Sequence, residues 1–229
     1  METKKAFITG ITGGIGSFIA KALLDRNFEI YAIVRDLKKA EEIFKIDGKN
    51  DPRVLLYEGI NMVDRKEVKE FLTAMAVTDV CPYLVVLGAG KFEWDSSDKY
   101  SSIEEAIHDL DLANYVTAEV FISGLKDVYG KKHLKNTKLV VISSQAANFG
   151  TDHPFRKGEE AYVLSKAKAS ALGRETQKEG FFEEVLIEEP GTIDTPAARK
   201  SFSSAQTDWS KAISPEDYVD SLMVKLNLY

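Results

Sequence analysis

Several kinds of residue are scarce in this 229-residue chain, and each scarcity excludes a class of protein. The one cysteine, Cys81, excludes an internal disulfide and fits a reducing compartment. The three histidines, His108, His133 and His153, lie far apart without metal-ligand spacing, so we expect no metal site. No apolar run approaches the roughly 18 residues that a membrane span requires.

Positive charge is also in short supply. Lys and Arg number 30 against 36 Asp and Glu, which gives a net charge of −6 and argues against non-specific binding of nucleic acid. The hydrophobic fraction of 44% and charged fraction of 29% are those of a soluble globular protein. We expect one domain over residues 1–229. The first strand follows Met1 too closely for a signal peptide, so we expect a cytoplasmic location without a membrane partner.

What the chain does contain is a glycine-rich turn between an apolar run, 6–8, and a helical pattern that begins at Ile15. Free N–H groups and the positive dipole end at a helix N-terminus favour an anion, and glycines let a pyrophosphate approach the backbone. Plain packing turns can show the same pattern, and Ser17 excludes the Gly-Lys-Ser/Thr of a Walker loop. The turn predicts a dinucleotide site at Gly10, Thr12, Gly13, Gly14, Ile15 and Gly16.

Apolar runs and helical patterns alternate along the whole chain. Strands are predicted at 6–8, 28–34, 54–57, 83–87, 138–142 and 184–187, and later helices at 37–46, 64–76, 103–129, 159–178, 196–205 and 215–226. This alternation predicts an α/β fold, a doubly wound parallel sheet of the Rossmann type. Ligands of such sheets bind beyond the carboxyl ends of the strands.

Tyr162 and Lys166 are four residues apart and therefore share one face of a helix. A fixed neighbouring cation favours the phenolate and lowers the pKa of a tyrosine from its usual value near 10. The pair occurs by chance on many helices, but here it follows a strand that ends in Ser143 and Ser144. We predict that Lys166 tunes Tyr162 for acid-base work.

In this combination the motifs resemble those of the short-chain dehydrogenase/reductase family over nearly the whole chain: TGxxxGIG at 9–16, a serine after the fifth strand, YxxxK at 162–166, and PGxxxT at 190–195. The resemblance implies that Tyr162 exchanges a proton with a carbonyl oxygen, Lys166 holds the nicotinamide ribose, and Ser144 orients the carbonyl of a small aldehyde, ketone or alcohol. It also implies cofactor contacts from Asn61, Met62, Gly88, Ala89, Gly90, Ile142, Tyr162, Lys166, Pro190, Gly191, Ile193 and Thr195.

Two departures from the family pattern keep a second function open. The NNAG segment after the fourth strand reads 87-LGAG-90, without either asparagine. The family's catalytic asparagine of the long helix falls on Asp111, since the apolar spacing of Leu112 and Val116 favours that register; Asn114, one turn further, is the alternative. A glycine spacing shared with extended and redox-sensing relatives adds to this second hypothesis, a non-catalytic dinucleotide-binding redox sensor or regulator.

The interval from Ser144 to Tyr162 is about five residues longer than is usual in the family. We expect the extra residues, within 148–159, to shape a substrate pocket with Phe92, Trp94, Phe202 and Trp209, although each aromatic could equally be core. A hydrolase triad of Ser144, His153 and Asp152 is disfavoured because adjacent Asp and His side chains seldom meet.

Cofactor choice and assembly follow from two further segments. Val34 stands where a carboxylate would hold the ribose hydroxyls of NAD, and Arg35 follows it, so we predict NADP(H), with NAD(H) as the weaker alternative. We expect the family's usual seventh strand to be absent before Tyr229. We expect a homodimer through the long helices, because small residues would let a second backbone approach: Ala161, Ala167, Ala169, Ala171 and Gly173.

Overall fold

The computed structural model describes residues 3–46, 48–93, 98–148, 159–201 and 208–228. Its centre is a six-stranded parallel sheet with the spatial order β5-β2-β1-β6-β7-β8. The strands are β1 Lys4–Thr9, β2 Phe28–Val34, β5 Val54–Glu58, β6 Leu84–Leu87, β7 Lys138–Ile142 and β8 Glu184–Glu188. A separate antiparallel hairpin is formed by β3 Lys45–Ile46 and β4 Lys49–Asn50.

Helices cover both faces of the sheet. They are α1 Gly14–Leu24, α2 Leu37–Ile43, α3 Arg65–Val77, α4 Ile103–Asp111, α5 Thr117–Leu134, α6 Glu160–Glu179, α7 Pro196–Ser201 and α8 Pro215–Lys225. A π turn, Leu112–Val116, joins α4 to α5. Because α1 and α8 pack on one face and α3, α5 and α6 on the other, the fold is the predicted doubly wound α/β type.

The central strands show why this sheet is buried on both faces. Every residue of β6 and β7 is buried, as expected for strands between two helical layers. Ile8, Val86 and Val140 lie side by side and pack toward α1 and α8, whereas Phe7 and Val85 pack toward α3 and α5. The period of two along each strand therefore supplies two cores from one continuous apolar run.

The second helix is shorter than the sequence predicts. The second helix ends at Ile43 rather than at residue 46, because Phe44 leaves the helix to enter the core and its carbonyl accepts from the N–H of Asp51. The helix predicted to stop at residue 129 is interrupted there, because Gly130 has the non-helical angles φ 64° and ψ 173°; helical residues then follow as far as Leu134. Within the described residues, no helix is both long and apolar enough to cross a bilayer.

Not all of the small residues of α6 lie where the expected dimer contact would need them. Ala161, Ala169 and Gly173 are buried against the chain itself, and a methyl group on Gly173 would lie 2.6 Å from Cγ1 of Ile187. The exposed side of the helix carries Leu164, of which 45% is exposed, and Ala171, while Ala167 is partly buried. Three of the five small residues therefore pack within the chain, and the homodimer stays a prediction.

Candidate functional site

Loops at the carboxyl edge of the sheet are joined to one another by backbone contacts. The N–H groups of Gly88 and Ala89 donate to Thr9, to its carbonyl at 3.2 Å and its hydroxyl at 3.1 Å, which ties the end of β6 to β1. The N–H of Gln145 donates to the carbonyl of Pro190 at 2.8 Å and ties the end of β7 to β8. The sequence motifs after these four strands thus lie along one edge.

The glycines of the first turn allow a very close backbone approach. Gly10 has φ +75°, and a methyl group there would lie 2.5 Å from the carbonyl oxygen of Gly88. A methyl group on Gly16 would overlap the carbonyl oxygen of Gly10. Any side chain at either position would push apart β1, α1 and the loop after β6.

The N-terminus of α1 differs from those of four other helices. Side chains cap α2, α3, α4 and α8, namely Asp36, Asp64, Ser102 and Ser214. At α1 the N-cap is Gly13, no described side chain caps it, and its first turn contains no acidic residue. The N–H groups of this turn are therefore available to an anion, which the positive end of the helix dipole also favours. The residues present fit the diphosphate of a dinucleotide.

The loop after β8 lies over the same helix end. A methyl group on Gly14 would be 2.7 Å from Cβ of Thr195, which brings the PGxxxT segment to the glycine turn. The remaining cofactor residues predicted from the sequence lie near the carboxyl ends of their strands: Asn61 and Met62 after β5, Gly88 to Gly90 after β6, Ile142 at the end of β7, and Pro190, Gly191 and Ile193 after β8. These predicted cofactor residues therefore lie along one edge of the sheet.

Arg35 lies just beyond β2 and is exposed. In the part of the chain that the structure describes, its guanidinium makes no hydrogen bond or ion pair. The two nearest carboxylates in the sequence and sheet order already accept from backbone: Asp36 from Lys39 at 3.0 Å and Glu58 from Leu37 at 2.9 Å. A cation is therefore available at the end of β2.

The structure distinguishes the two serines after β7. The hydroxyl of Ser143 is buried and donates to the carbonyl of Lys166 at 2.8 Å, so it anchors α6. Ser144 accepts from the N–H of Ala146 at 3.2 Å and is hydrogen-bonded to the phenol of Tyr162. Ser144 is thus the serine that faces the candidate catalytic tyrosine.

Lys166 extends from the same helix toward the end of β7. Its ammonium donates to the carbonyl of Ile142 at 3.3 Å, lies 5.9 Å from the ring centre of Tyr162, and is near Gly90. Only 7% of the residue is exposed, and burial lowers the pKa of Lys166 to about 8.

The pKa of Tyr162 shifts in the direction opposite to our prediction. Burial raises the pKa of this phenol, the hydrogen bond with Ser144 opposes the rise, and the charge of Glu159 adds to it. The sequence argument was wrong because it took Lys166 to be a fully charged, nearby cation. A buried amine has instead a lowered pKa of its own.

Asn114, and not Asp111, lies in the site. Its amide accepts from the N–H of Lys91 at 2.9 Å and donates to the Lys91 carbonyl and the Ser165 hydroxyl, each at 3.0 Å. Asp111 forms an ion pair with Lys168 on the outer side of α6. The π turn is the physical reason, because its extra residue rotates the following helix relative to α4. Register counting across such a turn fails.

A signal for Asn114 is present in the sequence. The buried stripe of this helix is Ala106, Leu110, Asn114 and Ala118, each four residues after the last, whereas Leu112 and Val116 are only partly buried. A polar residue inside an apolar stripe needs a hydrogen-bonding partner, and Asn114 has three.

Aromatic and apolar side chains surround the ring of Tyr162. The ring of Phe92 meets it edge-on with centres 4.9 Å apart, and Tyr100, Ile107 and Ala161 complete a small apolar cluster. Trp209 instead lies under the guanidinium of Arg199 at 4.8 Å. Other residues expected near the substrate lie outside the described residues: Trp94, Phe202 and, within the long loop, Asp152 and His153. Across the described ranges, no three His, Cys, Asp or Glu side chains are placed to hold a metal.

Comparisons with known proteins agree with this fold. A sequence model of the short chain dehydrogenase family matches residues 4–206. The structure is similar to an alcohol dehydrogenase from the archaeon Thermococcus sibiricus complexed with 5-hydroxy-NADP, with a TM-score of 0.74 and 22% identity over 100% of this chain and 92% of that one. It is also similar to ElxO with NADP bound, with a TM-score of 0.77 and 17% identity over 97% and 91%.

A shorter match joins the chain to an uncharacterized chloroplastic protein of Arabidopsis thaliana. The two are 47% identical over 47 residues, which span 20% of this chain and 17% of that protein.

The two candidate residues of the long helix make different predictions. Asn114→Ala should leave the Lys91 N–H without its acceptor and lower the free energy of unfolding by about 1–3 kcal/mol. Asp111→Ala removes an ion pair with the exposed Lys168 and should cost less than about 1 kcal/mol, since the buried Oδ1 of Asp111 has no hydrogen bond to lose. Urea unfolding measures the free energy of unfolding of each variant, and hydrogen exchange measures the effect on the backbone amides of residues 88–93. Faster exchange in Asp111→Ala than in Asn114→Ala would contradict the assignment.

The buried amine of Lys166 predicts a pH-dependent stability. Its pKa is about 8 in the folded protein but about 10.4 in an unfolded chain, so between these values the unfolded chain binds more protons and stability rises with pH. Lys166→Met should therefore stabilise the cofactor-free protein by up to about 3 kcal/mol more at pH 7 than at pH 10.5.

The control for this measurement is Lys168→Met, two residues along the same helix and exposed. Urea unfolding of the wild type and both variants at the two pH values gives the differences. Similar pH dependence in Lys166→Met and Lys168→Met would show that burial does not act on Lys166 as described.

Proposed function

The chain belongs to the short-chain dehydrogenase family, and from that premise we propose that it is an NADP(H)-dependent oxidoreductase that interconverts a small aldehyde or ketone and its alcohol. The observation that carries this proposal is the grouping of Ser144, Tyr162 and Lys166 beside an uncapped, glycine-lined helix N-terminus. The three side chains would hold and protonate a substrate oxygen, and the helix N-terminus would bind a diphosphate.

Each residue of the group has a role that its position supports. A bound nicotinamide dinucleotide supplies the hydride. Tyr162 gives its proton to the substrate oxygen, and its raised pKa keeps the phenol protonated at neutral pH, which is the state that reduction needs. Ser144, hydrogen-bonded to the same phenol, orients the carbonyl.

Lys166 and Asn114 support the return of the proton. With a pKa of about 8, the ammonium of Lys166 can give up a proton near neutral pH. Asn114 fixes the backbone of Lys91 beside it, and thereby the Gly88 to Gly90 segment that the substituted NNAG motif provides. The position of Asn114 removes one of the two departures that favoured a non-catalytic regulator.

The preference for NADP(H) is supported by Arg35. Its free guanidinium at the end of β2 suits a 2′-phosphate, and no carboxylate stands at Val34 to hold the ribose hydroxyls of NAD. Two structurally similar proteins were seen with NADP or a derivative of it.

Removal of the Tyr162 hydroxyl tests the proposed chemistry. Tyr162→Phe should lower turnover by about 10² to 10⁴ because general acid catalysis is lost, while the affinity for NADPH stays near that of the wild type. Ser144→Ala should also lower turnover with cofactor affinity retained. The assay is NADPH oxidation with a panel of aldehydes, ketones and diketones, beside NADPH binding by fluorescence.

Tyr218→Phe is the matched control, since this phenol is also buried but lies in α8 on the other face of the sheet. Its turnover should stay close to that of the wild type. If Tyr162→Phe keeps more than about a tenth of wild-type turnover, the proposed proton donor is wrong and the regulator hypothesis gains.

Arg35→Ala should weaken NADPH binding by about 10-fold or more and leave NADH binding almost unchanged, because only the former has the phosphate that the guanidinium would contact. Titration of both cofactors against the wild type and Arg35→Ala measures this. Tighter binding of NADH than of NADPH by the wild type would overturn the cofactor assignment.

A further inference from the structure

The carboxylate of Glu189, the residue after β8, receives hydrogen bonds from two other segments of the site. Its Oε1 accepts from the hydroxyl of Ser170 at 2.6 Å and from Nη2 of Arg174 at 2.8 Å. Its Oε2 accepts from Nδ2 of Asn148 at 2.7 Å. Only 20% of this side chain is exposed, so three donors converge on one half-buried carboxylate.

Each of these donors belongs to an element that carries a functional side chain. Asn148 ends the short 3₁₀ turn, Gln145–Asn148, that begins directly after Ser144. Ser170 and Arg174 lie one and two turns beyond Lys166 on α6. Glu189 itself immediately precedes the PGxxxT segment. The carboxylate therefore joins the elements that bear Ser144, Lys166 and the loop over α1.

A second path runs from Glu189 into the site through two hydroxyls. Ser170 Oγ lies 2.6 Å from Glu189 and 2.8 Å from Ser143 Oγ. A hydroxyl has one proton, and the carboxylate is the stronger acceptor, so Ser170 donates to Glu189. The one proton of Ser143 then has two alternative acceptors, Ser170 Oγ and the Lys166 carbonyl. Ser143 is also within 2.8 Å of the Lys166 carbonyl and precedes Ser144 in the chain.

Glu189 remains ionised in this arrangement. Burial alone would raise its pKa, but hydrogen bonds from Asn148 and Ser170 and the charge of Arg174 outweigh burial and hold the pKa below its usual range. A carboxylate can accept several hydrogen bonds at once, whereas an alanine would leave Ser170 and Asn148 without this acceptor.

We propose that Glu189 is a positioning residue, which holds Ser144 against Tyr162 by fixing the 3₁₀ turn after β7 to α6 through Asn148 and Ser170. Its effect on turnover rests on the proposed function, but its effect on the contact between Ser144 and Tyr162 does not.

The neighbouring residue provides a matched control. Glu188 is the last residue of β8 and is buried, with 6% of the residue exposed. Its carboxylate forms an ion pair with Lys225 of α8 at 2.9 Å, on the face of the sheet opposite to α6. Glu188→Gln therefore removes a buried charge and an ion pair without touching the segment that carries Ser144.

Two measurements test the proposal, one of them without substrate or cofactor. The first is the fluorine-19 NMR shift of 3-fluorotyrosine placed at position 162, in otherwise wild-type protein and in Ser144→Ala, Glu189→Ala, Glu189→Gln and Glu188→Gln. Ser144→Ala gives the signal of a phenol without its serine partner. Glu189→Ala should shift toward that signal, and Glu188→Gln should not.

The second measurement is steady-state kinetics with NADPH binding on the same variants. Glu189→Ala should lower kcat by about 10-fold or more, with the Kd of NADPH changed by less than about twofold, because a small misplacement of a catalytic group has a large effect on rate. Glu189→Gln should recover most of the loss, since its amide oxygen can still accept from Ser170 and Asn148 can rotate to present its own oxygen.

The outcomes separate this proposal from the proposed function. A wild-type chain without turnover, combined with a shift in Glu189→Ala toward the Ser144→Ala signal, would overturn the function and keep the positioning role. A wild-type signal in Glu189→Ala, or equal losses of kcat in Glu189→Ala and Glu188→Gln, would overturn the positioning role.

Discussion

The arrangement of the site depends on one buried amine, that of Lys166. A protonated amine away from water loses hydration free energy unless nearby oxygens replace it, and Lys166 has one carbonyl contact at 3.3 Å, to Ile142. Its lowered pKa is the measure of that imbalance. Burial of an amine with so few hydrogen-bond acceptors lowers the stability of the protein, and strongly shifted pKa values of this kind cluster at functional sites.

The residues near this amine are explained by the space and polarity that it needs. Gly90 must lack a side chain, because a methyl group there would lie 2.5 Å from Asn114 Oδ1 and 3.3 Å from Lys166 Nζ. Asn114 in turn fixes the backbone at Lys91. Both asparagines of the NNAG segment are replaced in this chain. The site tolerates their loss because the small Gly-Ala-Gly backbone and the side-chain amide of Asn114 fill the space beside Lys166.

Much of the fold could be predicted from the sequence, because parallel strands buried on both faces are continuous apolar runs. The apolar runs that form β6 and β7 lie between helical patterns and are followed by glycines or serines. This order along the chain leaves few possible topologies. The edge where the motifs meet follows from the same topology, since every parallel strand ends on the same side. Thr9, Gly88 and Pro190 are brought to the same edge of the sheet by this rule before any side chain is considered.

What could not be predicted depends on quantities that residue spacing does not contain. Asp111 was preferred to Asn114 because an α-helical period was assumed, whereas one extra residue in a π turn rotates a helix by about 100°. The pKa of Tyr162 was predicted in the wrong direction because spacing gives the neighbour of a group but not its burial. Gly173 was assigned to an interface because a small residue fits equally well against a partner or against Ile187 of the same chain.

Adjacent residues at the strand ends show how one short segment serves both stability and chemistry. After β7, Ser143 is buried against α6 while Ser144 faces Tyr162. At the end of β8, Glu188 binds Lys225 on one face while Glu189 accepts from α6 and the 3₁₀ turn on the other. The geometry of a strand gives neighbouring side chains different directions, so one residue of each pair can hold the layers together while the next one acts in the site.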